Sequence, residues 1–93
     1  MKKTEKAIIT FVGKDTVGII ARACTYLANN QINILNISQT IVDGYFNMMM
    51  IADISATDKT TGELAEDLEI IGNKMGIVIR CQHEDIFQKM HRI

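Results

Sequence analysis

The stretch ILNISQTIVDGYFNMMMIAD, residues 34–53, decides the fold of this chain. Two runs of apolar and β-branched residues flank Asp43-Gly44, a dipeptide typical of two-residue hairpin turns. The turn sets the register of the two strands, and four pairs then share one face: Ile41 with Phe46, Gln39 with Met48, Ile37 with Met50 and Leu35 with Ala52. Because three of these pairs are apolar, we expect that face to be core.

The other face of the hairpin is mixed in character. Its predicted pairs are Thr40 with Asn47, Ser38 with Met49 and Asn36 with Ile51. Alternation sends Met48 and Met50 to the core and Met49 outward, which favours packing over a soft-metal site for the three methionines. A face that is neither apolar nor charged suits a partly covered surface such as a subunit contact.

A strand and a helix are predicted before the hairpin. Ala7–Val12 is rich in β-branched residues and stops at Gly13, as a buried strand does. From Val17 the period becomes helical, with an apolar stripe at Ile20, Ala23, Cys24 and Leu27. Asp15 is the candidate N-cap, and Asn30 can adopt the left-handed conformation that ends a helix.

A second helix and a strand are predicted after the hairpin. Thr60 and Glu63 fit a capping box, and helical spacing then continues to Gly76 through Leu64, Leu68, Ile71 and Met75. Gly72 interrupts this helix, which predicts the close approach of another element. The outward residues Glu66, Asp67 and Glu69 are expected to be solvated. A strand follows in which Ile77, Ile79 and Cys81 alternate with Val78, Arg80 and Gln82.

The order strand, helix, strand, strand, helix, strand is the split βαβ arrangement of ferredoxin-like domains. We therefore predict an α+β sandwich, βαββαβ, in which two helices cover one face of a four-stranded antiparallel sheet. Residues 1–93 are expected to form a single domain with its core at 6–83 and an additional C-terminal helix at 84–93. The apolar residues of that helix are Ile86, Phe87, Met90 and Ile93.

Composition excludes several classes of protein. The 93 residues carry a formal net charge of −1, which supplies no general attraction to nucleic acid or to an anionic membrane. No apolar run is long enough to span a bilayer, and the apolar run Ala7–Val12 is too short for a secretion signal. We expect a cytoplasmic protein in which Cys24 and Cys81 remain reduced. A chain this short buries a small core, which favours a homodimer or a larger homo-oligomer.

Catalytic and metal-binding patterns are absent from the sequence. It contains no GxSxG, HExxH, Walker or GxGxxG motif, and His83 and His91 lack the spacing of two ligands on one helical face. An acylphosphatase-type enzyme of this fold needs an arginine in the first loop, whereas 13–18 offers only Lys14 as a cation. We expect neither an enzyme nor a metal or cofactor.

The loop before the first helix carries the strongest binding signal. A helix start exposes unpaired backbone N–H groups and the positive end of the helix dipole, which suit a carboxylate. Gly18 permits close approach, and the Asp15 carboxylate can accept hydrogen bonds from an ammonium group. These features complement both ends of a free amino acid. The alternative is that Asp15 only caps the helix and the glycines only shape the turn.

The residues of this region resemble the ACT domain signature. Asp15–Ala21, Leu27-Ala28 and Gln31–Ile34 are similar to D-x-P-G-[IVL]-[IVL]-A followed by L-x-x-x-x-x-N-I. The resemblance, with the order of elements, covers residues 6–83. The terminal residues 86–93 further resemble the tail of a small bacterial family of stand-alone ACT proteins that is related to the glycine cleavage system transcriptional repressor.

The resemblance implies a regulatory module that binds an amino acid at an interface between two domains. It assigns effector contacts to Asp15 and Asn33, often from different subunits, and backbone contacts to Gly18 and Ile19. Thr16, Val17 and Ile34 complete the predicted ligand-binding set. Val17 replaces the usual proline, and Gly13 offers no side chain where some serine-binding relatives place a polar one.

Two functions remain open from the sequence. One is a non-catalytic homo-oligomer that binds an amino acid effector between subunits and acts on a regulated protein partner. The other is a ligand-independent interaction module, in which the strand Asn33–Thr40 and the terminal helix mediate assembly.

Overall fold

The computed structural model describes residues 5–14 and 18–85 and confirms the ferredoxin-like α+β fold. The sheet is antiparallel with the strand order β2-β3-β1-β4, so β2 and β4 are its edges. The elements are β1 Lys6–Lys14, α1 Ile19–Asn29, β2 Asn33–Val42, β3 Tyr45–Asp53, α2 Thr61–Met75 and β4 Val78–His83.

The core lies between the two helices and one face of the sheet. Its largest buried side chains come from β1, β3 and both helices: Ile9, Phe11, Leu27, Phe46, Met50, Leu64 and Leu68. Met48 and Met50 point inward while Met49 is 47% exposed, which confirms the predicted alternation. Ile77, Ile79 and Cys81 are also buried, as the pattern of the last strand predicts.

The hairpin has the predicted turn and almost all of the predicted register. Asp43 and Gly44 have φ angles of 52° and 78°, the signs that a type I′ turn requires. The pairs from Ile41–Phe46 to Asn36–Ile51 form as expected. The pairing of Leu35 with Ala52 is wrong, because the register shifts between Ile34 and Asn36 and places Ile34 opposite Ala52.

The prediction that one hairpin face is core holds only for β3. On β2 the same face is open to solvent, since Ile37 is 43% and Ile41 56% exposed. The reason is the position of β2 at the edge of the sheet, where the helices do not cover it. An apolar edge strand is thus left without a partner among the described residues.

Helix α1 begins later than the sequence suggests. Its N-cap is Gly18, so the prediction of Asp15 as the N-cap is wrong. The buried stripe is Ile19, Ala23 and Leu27, whereas Ile20 is 37% exposed and Cys24 only partly buried. At the other end the positive φ of 56° belongs to Gln31, while Asn30 has φ −108°.

Helix α2 is capped at both ends as predicted. Thr60 Oγ1 accepts a hydrogen bond from Glu63 N at 3.2 Å, and Thr60 N donates to Glu63 Oε1 at 2.9 Å. The helix ends at Gly76 with φ 75°. The predicted close approach at Gly72 is confirmed, because a Cβ there would lie 2.7 Å from the carbonyl oxygen of Ile77.

Three polar side chains, one from each helix and one from the loop before α2, form a connected group. The hydroxyl of Tyr26 on α1 donates to Asp67 Oδ2 on α2 at 2.5 Å, and Lys59 Nζ forms an ion pair with the same oxygen. Lys59 and then Tyr26 lower the pKa of Asp67, whereas burial and then Asp67 raise the pKa of Tyr26. Asp67 is therefore not the simply solvated residue that its helix position suggests.

The predicted C-terminal helix is described only at its start. Glu84 and Asp85 are helical and follow β4 directly. The remaining residues of this prediction, 86–93, lie outside the described residues, and the helix over them stays a prediction.

The close contact at Gly72 leads to a stability prediction. Gly72→Ala should lower the free energy of unfolding by about 1–3 kcal/mol, since the new methyl group collides with backbone. Gly62→Ala in the same helix is the matched control, because its Cβ would meet nothing nearer than 3.8 Å. The control should be neutral or more stable, given the helix propensity of alanine. Urea unfolding of both variants measures this, and equal stability of the two would contradict it.

The helix-connecting group leads to a pH prediction. The pKa of Asp67 is lowered in the folded state, so its stabilising contribution is present above the ordinary aspartate range and disappears as the pH falls through the lowered value. Asp67→Asn should thus have a lower melting temperature than the wild type at neutral pH. The difference in melting temperature should disappear in acid. Glu66→Gln, at an exposed neighbouring position, should have the melting temperature of the wild type at every pH. Thermal melts across pH test this, and a gap that persists unchanged at the acid end would contradict the assignment.

Candidate functional site

One part of the predicted site is the start of α1. Gly18, the N-cap, has φ 88°. The first helical hydrogen bond runs from Arg22 N to Gly18 O at 2.9 Å, so the amides of residues 19–21 have no acceptor within the helix. The predicted residues Asp15, Thr16 and Val17 lie outside the described residues, so their contact with a ligand stays a prediction.

The electrostatics of this helix start favour an anion. Among residues 5–14 and 18–85 no side chain caps it, and the first turn contains no acidic residue. The amides and the helix dipole together present partial positive charge, which suits a carboxylate. A Cβ on Gly18 would have no atom of the described residues within 4 Å. Ile19 is buried and anchors the helix.

The second part of the predicted site is the start of β2. Asn33, its first residue, is exposed, and Ile34 is half-buried and packs against the core. Asn33 pairs with Asp53 across the antiparallel ladder. The packing of Ile34 holds the backbone at this corner, so the amide group of Asn33 is presented at the end of the sheet.

A polar cluster beside Asn33 was not predicted. Asp53 Oδ1 accepts hydrogen bonds from Ser55 N at 2.9 Å and from Ser55 Oγ at 2.6 Å, and Ser55 Oγ accepts from Glu5 N at 2.8 Å. The bonds from Ser55, with the nearby charge of Lys6, lower the pKa of Asp53. The spacing Asp-x-Ser after a strand is the signal that could have revealed this turn.

The two parts of the site lie at opposite ends of the sheet. Asn33, Asp53 and Lys6 are in register at one end, whereas the connection to Gly18 leaves β1 after Lys14 at the other end. Eight residue steps along β1 separate them, which is roughly 27 Å. A single small amino acid cannot reach both parts within one chain.

Two cavities of the described residues lie away from the predicted site. A groove of about 470 Å³ lies between α2 and β4, lined by residues that include Glu69, Asn73 and Arg80. A shallower depression of about 200 Å³ lies on the face of the sheet that the helices leave open. None of the predicted binding residues that the structure describes lines either cavity.

Other chemistry is limited in the part of the chain that the structure describes. Burial raises the pKa of the Cys81 thiol to about 11, so this cysteine is a packing residue and a poor nucleophile. No group of His, Cys, Asp or Glu among residues 5–14 and 18–85 could hold a metal ion. In those same ranges no helix has the length and apolarity needed to cross a membrane.

These observations define a ferredoxin-like α+β domain that presents a helix N-terminus and a strand end. The chain belongs to the ACT domain family, whose model matches residues 5–82. ACT domains are in general regulatory, ligand-binding modules. The predicted resemblance is therefore confirmed.

Similar proteins occur in bacteria and archaea. A UPF0237 protein of Bifidobacterium longum is 62% identical over 88 residues, which cover 95% of this chain and 98% of that protein. A UPF0237 protein of Methanocaldococcus jannaschii is 43% identical over 88 residues, which cover 95% of this chain and 98% of that protein. Both relatives are thus small proteins of the same extent.

Solved structures agree with the fold. An ACT domain protein from Streptococcus pneumoniae superposes with a TM-score of 0.80 at 38% identity, covering 91% of this chain and 96% of that one. A candidate glycine cleavage system transcriptional repressor superposes with a TM-score of 0.73 at 18% identity, over 86% of this chain and 46% of that one. The second likeness is one of fold alone.

The conformation of Gly18 leads to a prediction about the helix start. Gly18→Ala should lower the free energy of unfolding by about 1 kcal/mol, because a side chain at φ 88° is strained although the space around it is open. Gly18→Asn should lower it less, since asparagine tolerates positive φ better. Denaturant unfolding of both variants measures the difference. An alanine variant as stable as the wild type would mean that the helix start has another conformation.

Proposed function

We propose that this chain is a non-catalytic regulatory module that binds a small amino acid between two copies of itself. The observation that carries the proposal is the position of Gly18 and Asn33 at opposite ends of one sheet. Each chain then has two half-sites, and a partner chain is needed to complete either of them.

The edge strand β2 supplies a surface for that partner. Within the described part of the chain its backbone groups have no neighbouring strand on one side, and Ile37 and Ile41 expose apolar surface on the side of the helices. A second β2 pairing with it would satisfy the backbone groups and cover these side chains. The short chain would gain the additional buried surface that its size makes valuable.

Two-fold symmetry brings the half-sites together. Two β2 strands related by a two-fold axis through the sheet run antiparallel, so the start of each lies beside the end of the other. Asn33 of one copy then lies at the end of the joint sheet where Gly18 of the other copy begins α1. The separation that prevents a site within one chain is the arrangement that this dimer requires.

The chemistry of the completed site fits an amino acid. The free amides after Gly18 suit the ligand carboxylate, and the Asp15 carboxylate suits its ammonium group. The side-chain amide of Asn33 can donate a hydrogen bond to the ligand carboxylate through its nitrogen and accept one from the ligand ammonium group through its oxygen. No cofactor or metal enters the proposal, and its setting is the cytoplasm, where Cys24 and Cys81 stay reduced. A regulated protein partner would sense the ligand through the dimer.

An amino acid screen tests the proposed function. We expect one of the twenty amino acids, at millimolar concentration, to raise the melting temperature, because a ligand that binds only the native state stabilises it. Asn33→Ala and Asp15→Ala should each abolish the shift. Asn73→Ala on the exposed face of α2 is the matched control and should retain it.

Two outcomes would contradict the proposal. The absence of any melting shift, together with no heat of binding for any amino acid, would exclude the ligand. A shift that survives in both Asn33→Ala and Asp15→Ala would place the site elsewhere.

A ligand-independent assembly module is the second candidate. The exposed edge of β2 favours it, because that edge needs cover whether or not an amino acid binds. The two candidates differ in one measurement. Assembly alone would be supported by a dimer whose mass and melting temperature do not change when any amino acid is added or when Asp15 is replaced by alanine.

A further inference from the structure

The face of the sheet opposite the helices is a second surface without cover among the described residues. Strand alternation assigns it uncharged side chains over its centre, and several large ones are exposed: Val12 46%, Val42 60%, Tyr45 50%, Met49 47% and Val78 54%. We name this surface the open face. Around its middle lies the depression of about 200 Å³, lined in part by Thr10, Ser38 and Asn47.

Charge lies at the margins of the open face. The charged side chains that alternation places there are Lys6 and Asp53 at one end, Lys14 at the other end, and Arg80 on the edge strand β4. A centre without charge and a charged margin is the composition of an interface that excludes water at its core. The solvated face of an antiparallel sheet is commonly polar, whereas this one exposes several large apolar side chains.

We propose that the open face binds the open face of a second copy, with a two-fold axis parallel to the strands. The axis lies midway between the two stacked faces, level with the space between the central strands β3 and β1. As a result β3 of each copy lies over β1 of the other, and β2 lies over β4. The proposal does not rest on the amino acid site.

The observed register predicts which side chains meet. At one level Ile51 faces Ile8, and at the next Met49 faces Thr10. At the end of the sheet Asp53 faces Lys6, an opposite-charge pair. The remaining contacts are Tyr45 with Lys14, Asn47 with Val12, Thr40 with Val78, Ser38 with Arg80 and Asn36 with Gln82.

Charge complementarity selects this axis over the other in-plane two-fold. An axis perpendicular to the strands would lay β1 over β1 in reversed direction and place Lys6 over Lys14. It would also bring the two copies of Arg80, which is level with the middle of β1, close to each other. Like charges meet in that arrangement, whereas the axis parallel to the strands opposes no like charges.

The geometry and size suit two packed sheets. Aligned sheets lie about 10 Å apart and cross at about 30°, which displaces the ends by about 7 Å and leaves Lys6 within reach of Asp53. The open face measures about 19 by 27 Å from strand spacing and rise. Two such faces bury on the order of 1,000 Å², which is at the lower limit for a specific interface and corresponds to a weak, concentration-dependent association.

A chain that associates through both the open face and the β2 edge forms an assembly larger than a dimer. The axis of the edge dimer is perpendicular to the sheet and passes between two β2 strands, whereas that of the open-face dimer runs parallel to the strands in the gap between the two stacked sheets, level with the space between β3 and β1. Two-fold axes that do not meet generate an open series of copies. The wild type should therefore exceed two copies as its concentration rises.

Sedimentation velocity over a wide range of protein concentration tests the proposal. Met49→Glu at the centre of the open face should stop assembly at two copies, and Ile37→Glu on the β2 edge should also stop it at two. The double variant should be a monomer. Ile70→Glu, at a site 54% exposed on α2, is the matched control and should assemble like the wild type. Circular dichroism confirms that each variant is folded.

A mixing experiment tests the predicted register. Met49 of one copy faces Thr10 of the other, so Met49→Glu and Thr10→Lys should each weaken open-face association alone. A mixture of these two chains, both also carrying Ile37→Glu, should form a one-to-one dimer through the new opposite charges. Failure of the mixture to associate would overturn the register.

The outcomes separate this proposal from the amino acid site. If Met49→Glu assembles as the wild type does, the open face has another occupant, such as residues 86–93 or a different protein, and the proposal is overturned. If Met49→Glu lowers the mass while no amino acid binds, the open-face dimer stands and the proposed function fails. If Met49→Glu and Ile37→Glu each lower the mass and only Ile37→Glu loses amino acid binding, both proposals are supported.

Discussion

The contact of Ile77 with two glycines organises this fold. An added Cβ on Gly13 of β1 would lie 2.6 Å from Cγ2 of Ile77, and one on Gly72 of α2 would lie 2.7 Å from the Ile77 carbonyl oxygen. Ile77 N also donates to Gly72 O at 2.9 Å as α2 ends. One residue therefore joins a central strand, a helix and the start of β4. Only glycine permits this approach at both positions.

The same contact explains why position 13 of β1 is a glycine. The family resemblance places Gly13 where some serine-binding relatives carry a polar side chain. In this chain the space beside Gly13 is filled by Ile77, so packing requires the glycine. The effector contacts that we propose therefore lie in the rest of the β1–α1 connection and at the strand end at Asn33.

Local patterns predicted most of the fold because they depend on neighbours in sequence. The Asp43-Gly44 turn, the capping box of Thr60 and the end of α2 at Gly76 all formed as expected. The start of α1 was misplaced, because a glycine N-cap carries no side-chain signal. The bulge near Leu35 was also not predicted, since a register shift depends on how a strand fits its neighbour.

The sequence by itself determined the order of elements, the hairpin turn, the caps of α2, and the residues that the family resemblance assigns to a ligand. Each of these follows from short-range periodicity and backbone preference. Only the tertiary structure decided that β2 is an uncovered edge, that Asp67 joins the helices and that Gly18 and Asn33 lie at opposite ends of the sheet. The physical reason is that burial and separation depend on strand order and helix placement, which arise from contacts between residues distant in sequence.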